Sequence, residues 1–113
     1  TGERLVGIVL RNVAADVDGK HGFLSLGGVT WTWRMTAGAP EIVSLSVGGQ
    51  PVDLTHRYTA AATSYITEQW QKHLGFEPLD AQLTGANDFE AAVEYAKMHG
   101  LVDDGVRRGA RVD

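Results

Sequence analysis

The sequence predicts an α+β domain, and three patterns carry that expectation. Leu5, Val6, Val9, Leu10 and Val13 recur at helical spacing near the start of the chain. Val29, Trp31 and Trp33 then alternate with Thr30, Thr32 and Arg34, and Val43, Leu45 and Val47 alternate with Ser44 and Ser46; a period of two marks half-buried strands. Later, Asn87 and Glu90 form a candidate capping box ahead of Phe89, Ala92, Val93 and Ala96 on one helical face. The expected architecture is a mostly antiparallel or mixed sheet with an N-terminal helix, a short middle helix and a C-terminal helix. A length of 113 residues fits one domain spanning residues 1–113.

Taken in order, residues 1–17 read as one amphipathic helix with Thr1 as N-cap, Glu3 favourable to the helix dipole, and Asp18-Gly19 as the stop. Residues 22–34 read as two strand pieces separated by Gly27-Gly28, a pair that suggests a bulge or a close approach of another backbone or ligand. Residues 36–40 are small and turn-prone, so residues 41–47 should return antiparallel to the tryptophan strand. Gly48-Gly49 suits a tight hairpin, and Pro51 confines the short arm at residues 50–52 to a sheet edge. Residues 57–63, Arg-Tyr-Thr-Ala-Ala-Ala-Thr, could be helix by their alanines, but Tyr and Thr at the ends and the short length leave room for a buried strand, the reading taken here and the one that the family resemblance given below also implies. Ile66, Trp70 and Leu74, spaced by four, predict a short helix ending at Gly75, with Thr67 as a candidate cap. Residues 76–85 read as a connecting loop, Asp88–His99 as the clearest helix with Gly100 after it, and the charged tail at 103–113 as a final edge strand or a frayed end.

Composition narrows function by exclusion. A net charge of -4 and a pI near 5.5 oppose general affinity for nucleic-acid phosphates. With no cysteine there is no disulfide, thiolate nucleophile or thiolate metal ligand. No apolar run approaches the roughly 20 residues that a membrane helix needs, and no signal peptide is visible. His21, His56, His73 and His99 contain no pair at the spacing of a helical metal site, and the Asp103-Asp104 and Asp16-x-Asp18 pairs do not extend into a calcium loop. Ser44, Ser46 and Ser64 lack a nucleophile-elbow setting, and neither glycine pair precedes a helix as a phosphate loop would. Aromatic residues remain. Trp31 and Trp33 fit a core face, whereas Phe23 and Tyr65 stand outside clean periodic stripes; spacing alone favours core packing over ligand stacking for all of them.

Several segments together resemble, in order, the C-terminal domain of the 5'-nucleotidase family. Thr1-Gly2-Glu3-Arg4-Leu5 is similar to the family's Thr-Gly-x-x-Leu/Val helix start, and Phe23-Leu24-Ser25-Leu26-Gly27-Gly28-Val29 to its Phe-Leu-Gln-Val-Gly-Gly-Ile segment. Residues 42–53 resemble its Val-x-x-Val-x-Val-x-Gly-x-Pro-Leu-Asp hairpin, and residues 57–65 its Tyr-x-Val-Ala-x-Asn-Phe strand. Residues 88–112 resemble the terminal helix and Gly-Arg-Ile ending. The resemblance implies a substrate-binding domain of a two-domain phosphohydrolase, with two divalent metal ions in a separate N-terminal metallophosphoesterase domain of the same chain. It also implies a nucleotide or nucleoside substrate whose base stacks between two aromatic rings, and an extracytoplasmic location.

Tyr65 matches the second ring of that clamp, while the first ring, the arginines and the metal ligands belong to family segments ahead of Thr1. The chain, which begins without Met, is therefore expected to be a fragment that is not catalytic alone, holds no cofactor itself, and can pair as a homodimer through an uncovered apolar face. Phe23 and Ser25 are further candidates for the pocket. After the second ring the family has Leu-Ala-x-Gly-Gly-Asp-Gly-Tyr, whereas this chain has Ile66-Thr67-Glu68-Gln69-Trp70-Gln71-Lys72-His73. Gln71 stands at the position of the ribose-binding Asp, and Gln69-Trp70 replaces the glycines, which either fills the pocket or converts the loop to helix. Two other classes of function compete. An exposed Trp70 beside a buried Tyr65 would mark a structural or protein-interaction module; an open pocket lined by Trp70, Gln71 and Ser25 would mark a binder of sugars or non-nucleotide phosphate esters.

Overall fold

Helix α1 spans Gly2–Val17 and buries the stripe that its spacing requires, with Val9 and Val13 in the core and Leu5 and Val6 packed beside them. These details come from a computed structural model, which describes residues 1–20, 24–78, 80–82, 84, 85, 87–99 and 108–113, without the side chains of 88, 89 and 99. Thr1 holds the N-cap position but makes no side-chain cap bond. The free N–H groups of the first turn are met from elsewhere: Gly2 donates to the His56 carbonyl and Glu3 to the Leu54 carbonyl, each at 3.0 Å. Gly2 is required because a Cβ there would run into the Asp53 carbonyl oxygen.

The sheet has the order β3-β2-β1-β4. Strands β1 (Val29–Thr36), β2 (Ala39–Val47) and β3 (Gln50–Pro51) form an antiparallel meander, and β4 (Gly109–Arg111) joins β1 in parallel. The sheet is thus mixed and the fold α+β. Gly48 and Gly49, at φ 57° and 81°, close the β2–β3 hairpin, and Pro51 sits on the edge strand. The β1–β2 turn is tighter than the small-residue run suggests, with only Ala37 and Gly38 between Thr36 and its partner Ala39. Both turn residues have positive φ, 50° for Ala37 and 81° for Gly38.

Val43 departs from the expected alternation. Thr32 pairs with Ser44 but Trp33 pairs with Ile42, so Val43 is an extra residue in a β-bulge. Ile42 therefore joins Leu45, Trp31 and Trp33 against α1, while Val43 is 48% exposed. The opposite face is polar, with Thr32 and Ser44 hydroxyls 2.7 Å apart and Arg34 Nε donating to Glu41 at 3.0 Å. The Gly27-Gly28 pair makes no bulge; Gly28, at φ 76°, leads into β1 and its carbonyl accepts from Gly48 N–H.

Two expected strands are corrected. Residues 24–28 form no strand; they are held by the Asn12 carboxamide, whose Nδ2 donates to the Leu24 carbonyl at 2.9 Å and whose Oδ1 accepts the Leu24 N–H. Residues 57–63 belong to no strand or helix and, apart from Tyr58, are exposed. Their β-prone composition has no neighbouring ladder to pair with among the described residues, and an unpaired strand has no ladder bonds to hold it. The middle helix is divided into α2 (Ser64–Glu68) and α3 (Trp70–His73) by Gln69 at φ -98° and ψ 37°. Thr63 rather than Thr67 occupies the N-cap; the Thr67 hydroxyl donates back to the Ser64 carbonyl. Gly75, at φ 82°, ends α3 and donates to the Trp70 carbonyl.

Helix α4, Asp88–His99, starts with one half of the expected capping box, Glu90 N–H donating to Asn87 Oδ1 at 3.3 Å. Ala92 and Val93 are exposed and Ala96 is half-buried, so the described part of its apolar face is largely open. Gly100 and residues 103–107 lie outside the described residues, as does Phe23. No helix among the described residues is long and apolar enough to cross a membrane.

Candidate functional site

The clamp candidate is set by the path from β3 to α3. Asp53 closes a turn through Oδ1, which accepts from Thr55 N–H and Oγ1 at 3.0 Å and from His56 N–H at 3.3 Å. These bonds, from Thr55 first, hold the Asp53 carboxyl below its ordinary range. The Asp53 N–H donates to the Tyr58 hydroxyl at 3.0 Å, and Tyr58 meets the His56 ring edge-on with centroids 4.7 Å apart. The turn secures the start of α1 and directs residues 57–63 toward α2.

Tyr65 lies in the first turn of α2 and is 57% exposed. Its ring is backed by His73, with centroids 5.7 Å apart and planes tilted by 58°. His73 itself is only 8% exposed, and its buried Nε2 has no hydrogen-bond partner among the described residues. Trp70 is half-buried and Gln71 exposed, both on α3. The segment is thus helical over Ser64–Glu68 and Trp70–His73, and a tyrosine ring stands partly free on it, supported from within by an imidazole.

Ser25 lies elsewhere. It lines an open groove of about 360 Å³ with Asn12, Leu24, Trp31, Trp33 and Arg108, and neither Tyr65 nor Gln71 contributes to that lining. Gly109 lets β4 approach the groove wall, since a Cβ there would lie 2.5 Å from the Trp31 ring. Tyr65 and Gln71 therefore share the α2–α3 segment, Ser25 borders a different concavity, and Phe23 falls outside the described residues.

Sequence reasoning missed Asn12, Arg4, Arg11 and His73. Arg4 stacks its guanidinium 4.7 Å from the Phe76 ring centroid, and the Arg11 guanidinium occupies the space that a Cβ on Gly75 would fill. Arg4 and Arg11 are seven apart on α1, and His73 follows Trp70 by three; those spacings were the available signals. Among the described residues no group of three or more His, Asp or Glu side chains is gathered to hold a metal ion. No family model, characterised protein or solved structure matches the chain in comparison.

Proposed function

We propose that this chain is a nucleotide- or nucleoside-binding domain of the 5'-nucleotidase type, contributing to nucleotide catabolism without a catalytic centre of its own, in which Tyr65 forms one face of the base clamp. Hydrolysis would belong to a partner metallophosphoesterase domain of the same chain carrying two divalent metal ions. The observation that carries this reading is the exposure of Tyr65 at 57%, with its ring braced by a buried His73. A structural module would show the reverse, a buried Tyr65 beside an exposed Trp70, yet Trp70 is half-buried. A braced aromatic face has little freedom to lose when a flat base stacks on it, and stacking tolerates different bases. Two resembling motifs also meet physically, since Gly2 of the Thr-Gly start packs under Asp53 at the end of the hairpin motif.

The helical conversion of residues 64–73 favours a second reading. With no glycine loop to bring backbone against a ligand, the domain would serve as a structural or protein-interaction module. Calorimetric titration with adenosine and uridine decides between them. The binding reading predicts saturable heats for both nucleosides, weakened about tenfold or more in Tyr65→Ala, in line with roughly 1–3 kcal/mol per stacked base. Absence of saturable binding, or binding indifferent to Tyr65→Ala, would overturn it.

A further inference from the structure

The groove beside Ser25 lies apart from Tyr65 and takes no part in the base clamp. Helix α1 supplies Asn12 and Asp16, one turn apart on the same face, and β1 supplies Trp31 and Trp33, two apart and so also on one face. The walls are fixed by bonds already formed. Asn12 holds the backbone of Leu24, which sets Ser25 beside the helix, and the Trp31 N–H donates to the Arg108 carbonyl at 2.7 Å. On the far side the Val112 N–H donates to the Trp33 carbonyl at 2.9 Å. A concavity formed in this way has little left to order when a ligand enters.

Its lining combines apolar wall with unspent hydrogen-bonding groups. The Asp16 carboxylate, the Ser25 hydroxyl and the two indole N–H groups have no hydrogen-bond partner among the described residues. One acid, Asp16, and one base, Arg108, line the groove, so neither sign of charge dominates it. A flat base gains little here, because the Arg111 guanidinium already lies over the Trp33 ring, 5.4 Å from its centroid, and Gly109 abuts the ring of Trp31. A volume of about 360 Å³ stands at the small end of the roughly 300–1,000 Å³ typical of ligand pockets. The fitting ligand is therefore small, neutral and rich in groups that both donate and accept.

We infer that the groove between α1, β1 and β4 is a saccharide site for a neutral mono- or disaccharide, held by Asp16, Ser25 and the indole N–H groups of Trp31 and Trp33. A sugar hydroxyl donates to a carboxylate and accepts from an N–H at once, which matches the mixture of groups on these walls. Its bonds to Asp16 are charge-assisted and carry the larger share of the affinity, while the C–H face of the ring covers the apolar wall. The inference goes beyond the nucleotide reading and does not depend on it, since neither Tyr65 nor Gln71 lines the groove.

The test titrates glucose, galactose, mannose, N-acetylglucosamine, maltose and cellobiose into the ¹⁵N-labelled intact chain and follows the indole N–H signals. At least one sugar should move the Trp31 and Trp33 signals saturably while the Trp70 signal, on α3, stays in place. Asp16→Ala should weaken that binding about tenfold, the loss of one charge-assisted contact, and Ser25→Phe should abolish it by filling the groove. Both positions are exposed, so the variants should keep the wild-type thermal midpoint without sugar, and Tyr65→Ala should leave the affinity unchanged. Stationary Trp31 and Trp33 signals with every sugar up to about 50 mM, well above a millimolar dissociation constant, would overturn the inference. So would binding indifferent to both Asp16→Ala and Ser25→Phe, or tetramethylammonium or phosphate competing as well as a second portion of sugar. Adenosine binding lost in Tyr65→Ala, with no sugar binding, would remove the groove site and leave the nucleoside reading intact; sugar binding without adenosine binding would do the opposite.

Discussion

Replacing Asn12 with alanine should destabilise the fold even though alanine is the better helix former. Asn12 lies in the interior of α1, where the exchange alone is worth about 0.5–0.7 kcal/mol in favour of alanine. Its carboxamide, however, makes two part-buried bonds to the backbone of Leu24, donating from Nδ2 to the carbonyl and accepting the N–H at Oδ1. Each bond contributes a net of about 0.5–1.5 kcal/mol, so the pair is worth about 1–3 kcal/mol and exceeds the propensity gain. The expected outcome is a net loss of about 0.3–2.5 kcal/mol. Gly7→Ala is the control, because nothing lies within 4 Å of a Cβ at that position and the substitution carries only the propensity term, a gain of about 0.8–1 kcal/mol. Urea unfolding followed by tryptophan fluorescence gives both midpoints, with the slope checking that the exposed surface is unchanged. If Asn12→Ala raises the midpoint as Gly7→Ala does, the Leu24 clasp contributes nothing and the account of residues 24–28 fails.

Two further outcomes follow from the turns. Ala37 holds φ 50° in a two-residue hairpin, so Ala37→Asn should stabilise by about 0.5–1 kcal/mol because asparagine tolerates that region better; an unchanged or lowered urea midpoint would contradict it. The Asp53 carboxyl is held below its unfolded value by Thr55, so the folded state binds fewer protons than the unfolded one in that range. Its contribution is present above the ordinary Asp value of about 3.9 and is lost as pH falls through the depressed folded value; Asp53→Asn should flatten this part of the acid limb of stability against pH, and an identical limb would refute it.

Much of the fold was legible because it is locally encoded. The α1 stripe, the Gly48-Gly49 turn and the edge position of Pro51 each rest on neighbouring residues, and each stands where its pattern places it. Val43 was misread because Ile42 and Val43 are both apolar: alternation cannot choose between two candidates for one face, and the choice is made by the bulge opposite Thr32 and Trp33. Residues 57–63 were misread for a related reason, since Tyr and Thr favour strands only where another strand offers its ladder. At the candidate site, Tyr65 was conspicuous as an aromatic outside a stripe. The surroundings that give it meaning, a buried His73 behind the ring on a helix that α1 packs against, depend on contacts between residues far apart in sequence.

The binding claim is localised by mapping adenosine onto the ¹⁵N-labelled chain by NMR. Stacking on Tyr65 predicts saturable perturbations confined to Ser64–Glu68 and Trp70–His73, with the Trp31 and Trp33 indole signals unmoved. Perturbations centred on Trp31, Trp33 and Asn12 would place the ligand in the groove beside Ser25 instead, and a spectrum unchanged by adenosine would contradict nucleoside binding altogether.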